Sequence, residues 1–194
     1  MDTSDYLTTH QYQAVVLGGS AGSIRVVCDI LRKLRPDFQL PLIIVLHRSP
    51  QSESGLGKVF EPHSPLPIIE PKVKTRIENG NVYLAPADMH LFVESADYLN
   101  TDQSALVQYS RPSIDVLFFS ASEIYQNQLL GILVTGANRD GAMGMKLIKD
   151  AGGYTVVQDP AEATIDYMPK SAMELSPIDQ VLRATEIAEL LNKL

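Results

Sequence analysis

Gly18-Gly19-Ser20-Ala21-Gly22 sets a single hydroxyl among small residues, directly after the apolar run Ala14-Val15-Val16-Leu17. A turn of this composition can cradle a phosphate on its backbone N–H groups, or it can hold the hydroxyl out as a nucleophile. The spacing is G-x-S-x-G, in which small neighbours permit a sharp strand-to-helix turn that exposes the serine. The dinucleotide pattern G-x-G-x-x-G fits poorly. Aligning Gly19 and Gly22 with its last two glycines puts Leu17 where the first belongs. No Lys-Ser or Lys-Thr follows the turn, as a P-loop requires. Taken alone, a serine in such a turn is more often a helix cap than a nucleophile.

Two further residue types complete a possible chemistry. The apolar run of residues 41–47 ends at His47, where ribose recognition would want Asp or Glu, and the run of residues 129–136 is followed by Asp140. An imidazole suits proton transfer at neutral pH, and a carboxylate behind it fixes the ring and stabilises the imidazolium. Alcohol, base and acid delivered from three strand ends make a serine-hydrolase triad in the chain order Ser…His…Asp, which differs from that of α/β-hydrolases. Each residue also has a plainer reading: His47 as a structural hydrogen-bonder, Asp140 as a helix cap. Asp88 and Asp115 are alternative acids in the same order. The opposite class of reading is a non-catalytic binding module on the same scaffold.

The elements that must position these residues follow from apolar spacing. Residues 14–18 read as a buried strand and 22–34 as a helix, with Ile24, Val27, Ile30, Leu31 and Leu34 on one face. Pro36 ends that helix, and residues 41–47 form the next strand, giving a βαβ unit. Residues 48–110 are richer in proline and turns, with a short helix near Leu56 and a tight turn at Asn79-Gly80. Within this region residues 90–94 and 105–109 are expected to pair as an antiparallel hairpin. A helix follows over 111–125, then a strand at 129–136, a helix at 140–152 and a strand at 154–159. Two short helices split at Pro169, a strand at 180–184 and a terminal helix capped by Thr185 complete the chain. The expectation is an α/β fold: a doubly wound, mostly parallel, Rossmann-like sheet with helices on both faces and an inserted antiparallel hairpin. Residues 1–12 form a polar lead-in and 13–194 a single domain.

Composition narrows the function classes. The chain of 194 residues is 45% hydrophobic and 20% charged, enough for a real core without disulfide or metal staples. Cys28, the only cysteine, excludes an intramolecular disulfide and reads as a buried structural thiol. A net charge of -7 argues against nucleic-acid binding. No apolar run approaches the ~18 residues of a membrane helix, and the acidic start is unlike a secretory leader; the expected location is the cytoplasm. His10, His63 and His90 show no metal-ligand spacing, so no metal or other cofactor is expected.

The segments VVLGGSAGS, IIVLHRSP, NVYLAPADMHL, RPSIDVLF, GILVTGANRDGAMGM and YMPKSA occur in an order and spacing that resembles the catalytic domain of chemotaxis protein-glutamate methylesterases (CheB-type). The resemblance spans about residues 13–194. It implies hydrolysis of glutamate γ-methyl esters on the cytoplasmic helices of methyl-accepting chemoreceptors, with glutamine deamidation in some members. It further implies Ser20 as nucleophile, His47 as base and Asp140 as acid, with an oxyanion pocket near the backbone of Ala21 and Ala137. Arg48, His90, Arg111 and Arg139 are then candidates to face the substrate. The family usually carries a receiver domain ahead of the catalytic one; residues 1–12 are too few for it, so either a separate receiver or signalling protein or constitutive activity is expected in its place. The acid loop, commonly T-G-M-G-x-D-G, reads Thr135-Gly136-Ala137-Asn138-Arg139-Asp140-Gly141 here, and the usual Q-H-M-P is Leu46-His47-Arg48-Ser49-Pro50. Asn138, unlike most non-glycine residues, can take a left-handed backbone conformation in the place of that glycine. A small-molecule esterase is the alternative enzymatic reading.

Overall fold

The computed structural model describes residues 12–48 and 55–194. Residues 1–11 of the lead-in, His10 among them, and residues 49–54 of the loop after His47 lie outside the described residues, whereas Tyr12 is buried in the core. Seven strands form one sheet in the order β10-β9-β8-β1-β2-β5-β3, and every pairing in it is parallel. Its centre is β1 (Ala14–Gly19), flanked by β2 (Leu42–Leu46) and β8 (Leu129–Leu133). Beyond β2 lie β5 (Val82–Leu84) and β3 (Ile68–Ile69); beyond β8 lie β9 (Tyr154–Gln158) and β10 (Gln180–Leu182).

The central strands are apolar at every position because both faces are covered. Val15 and Leu17, with Leu42, Ile44 and Leu46, face one hydrophobic cluster. Ala14 and Val16, with Ile43 and Val45, face the other. The first cluster is closed by α1 (Ser23–Lys33), α2 (Leu56–Phe60) and α6 (Ala184–Leu191). The second is closed by α3 (Ile114–Tyr125), α4 (Ala142–Asp150) and α5 (Tyr167–Leu175). A separate antiparallel sheet, β4 (Thr75–Arg76), β7 (Tyr98–Asp102) and β6 (His90–Ser95), packs Leu91, Val93 and Leu99 into that second layer. Cys28 is buried in the α1 layer.

Several expectations need correction. The partner of β6 is Tyr98–Asp102, not residues 105–109, which make only an isolated bridge between Val107 and Ser110. The short turn at Ala96-Asp97 lets the chain pair at once with itself, whereas the later apolar stretch has no adjacent edge. Pro169 does not split a helix: it is the third residue of α5, in the first turn where a missing N–H leaves no intrahelical bond unmade. The terminal helix begins at Ala184 with Arg183 as N-cap, so Thr185 lies inside it; Glu186 reaches back to accept from the Arg183 N–H.

The chain runs outward from β1 to β2, β3 and β5, then crosses back to β8 on the other side. The crevice beyond the carboxyl ends of β1 and β8 is therefore the switch point of the sheet, where open α/β folds place ligands.

Candidate active site

At that crevice the backbone ladder continues one residue past the strands. The Ser20 N–H donates to Thr135 O at 2.9 Å, and the His47 N–H donates to Gly19 O at 3.1 Å. Ser20 is thus held between the ends of β2 and β8. The turn that follows needs glycine twice. A Cβ on Gly19 would lie 2.7 Å from both Ser23 and Val134, and Gly22, the N-cap of α1, has φ 84°. Ser23 donates its N–H and its hydroxyl back to Ser20 O, closing the elbow.

Asp140 is fully buried and accepts four hydrogen bonds. Its Oδ2 takes His47 Nε2–H at 2.7 Å and the Ile114 N–H at 2.7 Å; its Oδ1 takes the Ser113 hydroxyl and the Asp115 N–H, both at 2.9 Å. Burial pushes this carboxyl up, but the His47 bond and the two backbone N–H groups outweigh it and hold Asp140 below its ordinary value. A carboxylate accepts, so Nε2 carries the proton and Nδ1 is the ring's basic nitrogen.

Asp140 caps α3, and Asp115, at the start of α3, caps α4. Asp115 Oδ1 accepts from the N–H groups of Gly141 (3.0 Å) and Gly144 (2.7 Å). Burial raises the Asp115 carboxyl to about 6; the Gly144 and Gly141 N–H groups oppose the rise and the nearby Asp140 charge adds to it. The two carboxylates thereby lock two helix N-termini to one another and to the histidine.

Ser20, Ala21, Gly22 and His47 line an open cleft of about 670 Å³ together with Ile24 and Arg25. His47 is also a wall of a second cavity, of about 380 Å³, that includes Arg48, Asp88, Tyr109 and Arg111. The structure thus joins His47 to Asp140 directly and sets Ser20 and His47 on one cleft; among the described residues no hydrogen bond links Ser20 Oγ to the ring. Asn138 sits beside the ring with φ outside the left-handed region, so it does not use the left-handed conformation open to it; the positive φ of this loop falls on Gly141, at 92°.

Among the four substrate-facing candidates, His90 is a correction. It is fully buried, accepts from the Ser113 N–H at Nδ1 and donates Nε2–H to Ala105 O, so it braces the loop ahead of α3. Its place at the start of a polar-flanked strand concealed this, because the small sheet lies against α3. Arg48 and Arg111 line the second cavity but are tied to Glu70 and Asp88 respectively. Arg111 also donates to the carbonyls of Gln103 and Ser104, and Arg139 is exposed. Asp88, weighed as an alternative acid, is occupied by Arg111; Asp115 is beside the acid but serves α4.

Sequence reasoning placed Thr135 and Gly136 in the acid loop but gave them no role. The Thr135 hydroxyl lies 3.0 Å from both Ala21 O and Ile165 O, shares its one proton between them and accepts the Ile165 N–H, while the Thr135 N–H goes to Gln158 Oε1, tying the β8 loop to the serine elbow. Gly136 leaves room for Ser20: a Cβ there would lie 3.0 Å from Ser20 Cβ and 2.5 Å from Met168. Nothing in single-residue chemistry marks these positions. Among the described residues there is no group of three or more His, Cys, Asp or Glu able to hold a metal ion.

The family model described as CheB methylesterase matches residues 15–191. The chain belongs to the CheB methylesterase family. A protein of Leptospira interrogans serogroup Icterohaemorrhagiae serovar copenhageni, provisionally named protein-glutamate methylesterase/protein-glutamine glutaminase, is 43% identical over 183 residues, covering 94% of this chain and 95% of its own length. Protein-glutamate methylesterase/protein-glutamine glutaminase 2 of Anaeromyxobacter dehalogenans is 36% identical over 182 residues, but the chain spans only 53% of that relative. The crystal structure of the Thermotoga maritima CheB methylesterase catalytic domain superposes with a TM-score of 0.89 at 30% identity, over 94% of this chain and 98% of that one. The sheet and helix layers described above are therefore the CheB catalytic-domain fold.

Proposed function

We propose that this protein is a serine hydrolase of the CheB type that removes γ-methyl esters from glutamates on the cytoplasmic helices of methyl-accepting chemoreceptors. The observation that carries the reading is the 2.7 Å bond from His47 Nε2 to the buried Asp140, on the same cleft as Ser20. In the proposed reaction Ser20 Oγ attacks the ester carbonyl while His47 Nδ1 takes its proton. Asp140 stabilises the imidazolium without itself becoming protonated. The developing oxyanion is received by the backbone N–H groups of Ala21 and Ala137, neither of which has a hydrogen-bond partner among the described residues. Methanol leaves with the proton from His47, and a water activated at Nδ1 then releases glutamate from Ser20. The same acyl-enzyme forms from glutamine with ammonia as leaving group, the glutaminase activity named in the relatives.

An open cleft suits a receptor segment presented on a helix surface better than a small enclosed molecule. No described helix is long and apolar enough to cross a membrane. The working location is the cytoplasm, where the receptor helices are. The chemistry uses no cofactor. Methanol release from methylated receptor should fall by roughly three or more decades in Ser20→Ala. Release within tenfold of the unsubstituted protein would exclude the proposed nucleophile.

A further inference from the structure

The nitrogen that must take the serine proton is already in contact with another residue. Asn138 Nδ2 lies 3.3 Å from His47 Nδ1, and Asn138 Oδ1 accepts the Asp140 N–H at 3.2 Å. The second bond settles the amide's orientation: a backbone N–H needs an oxygen acceptor, so the NH2 group faces the ring. On the other side of the ring Asp140 holds the Nε2 proton, so Nδ1 presents its lone pair to Asn138. This contact exists only with a neutral ring. Once Nδ1 gains a proton, two donors face each other and the amide must turn away.

We propose that Asn138 is a positioning residue that acts through His47: it latches the neutral imidazole in the resting site and competes with Ser20 for the Nδ1 lone pair, so that acylation requires its release. The proposal rests on the triad assigned above. Three features favour a latch over a fixed brace. The bond is long for N–H to nitrogen, Asn138 is only half-buried, and its neighbours Ala137 and Arg139 are exposed. The strong hold on the ring is the shorter bond to the fully buried Asp140, which Asn138 does not supply.

The test combines nitrogen NMR of the histidine rings with pre-steady-state acylation by p-nitrophenyl acetate, in the full chain and in Asn138→Ala and Asn138→Gly. His47 resonances are assigned against His47→Ala. The expected result is a Nδ1 resonance displaced toward that of an unbonded ring nitrogen, with Nε2 unmoved. Acylation should be faster by about two- to tenfold, the size of one weak neutral hydrogen bond. An unmoved Nδ1 resonance in either folded variant overturns the latch, as does slower acylation. Ser20→Ala separates this from the parent reading. Acylation that survives that change overturns the triad and the latch with it, whereas the nitrogen resonance reports the Asn138 contact without any turnover.

Discussion

Asp140 carries two duties on one carboxylate, and an amide in its place would separate them. The side chain meets four donors: the His47 ring, the Ser113 hydroxyl and two backbone N–H groups of α3. Asp140→Asn offers one acceptor oxygen, so two of these donors, one of them a backbone N–H in either orientation, are left facing an NH2 group. The backbone donors cannot turn; the ring can, by moving its proton to Nδ1, which removes the base. Turnover should therefore fall by about three to four decades, with a loss of about 1–3 kcal/mol in stability from the disturbed cap. Ser20→Ala should lose turnover on a similar scale with its melting temperature nearly unchanged, since among the described residues the hydroxyl holds nothing together. Thermal melts of both variants beside their kinetics check the contrast; equal melting temperatures would show that Asp140 does not support α3.

At the scale of elements, the reciprocal caps of α3 and α4 make stability depend on pH in a definite direction. Asp115 keeps its proton up to about 6 in the fold against an ordinary 3.8. Its contribution is therefore fully present below about pH 4 and lost as pH rises through 6. Asp140 runs the other way: held low, it contributes above its ordinary 3.8, and that contribution is lost as pH falls through its folded value. Asp115→Asn retains an oxygen for the Gly141 and Gly144 N–H groups and removes the titration. The melting temperature of the variant minus that of the parent should rise between pH 4.5 and 7, and a flat difference would refute the assignment. The same helix pair explains Gly144. A Cβ there would sit 2.4 Å from Phe118 Cβ, an atom fixed to the α3 backbone. Gly144→Ala gains about 1 kcal/mol of helix propensity, but overpacking of about 1–3 kcal/mol at an immovable neighbour exceeds it. A net drop in melting temperature is expected, and a rise would mean that α3 and α4 can separate freely.

Across the whole molecule, the features legible in the amino-acid sequence were those with local periodicity or composition. The apolar runs of β1, β2 and β8 stood out because both faces of the sheet are covered, and the residues after them marked Ser20, His47 and Asp140. The pairing of β6 with β7 did not, because Tyr98–Asp102 is mostly polar and its place is set by the short turn before it. The burial of His90, the role of Ser113 and the contact of Asn138 with His47 depend on segments distant along the chain meeting in space, which no local pattern encodes. This division also predicts which losses of stability spare activity. The α1–α6 layer closes the face of the sheet opposite α3, whose N-terminus holds Asp140, and α4. Ile187 of α6 is fully buried there. Ile187→Ala should cost about 2–5 kcal/mol, since the truncated methyl groups leave a cavity that the sheet and α1 cannot fill. His47 and Asp140 are anchored on β2, β8 and the opposite layer, and Ser20 touches the Ile187 layer only through the first residue of α1, so p-nitrophenyl acetate turnover well below the melting transition should stay within about twofold of the parent. Activity and circular dichroism should then be lost together, at a lower temperature, if the sheet melts as one cooperative unit. A marked loss of turnover at low temperature in this variant would show that the packing of α6 reaches the catalytic edge through the sheet, and that the two layers are not mechanically separate.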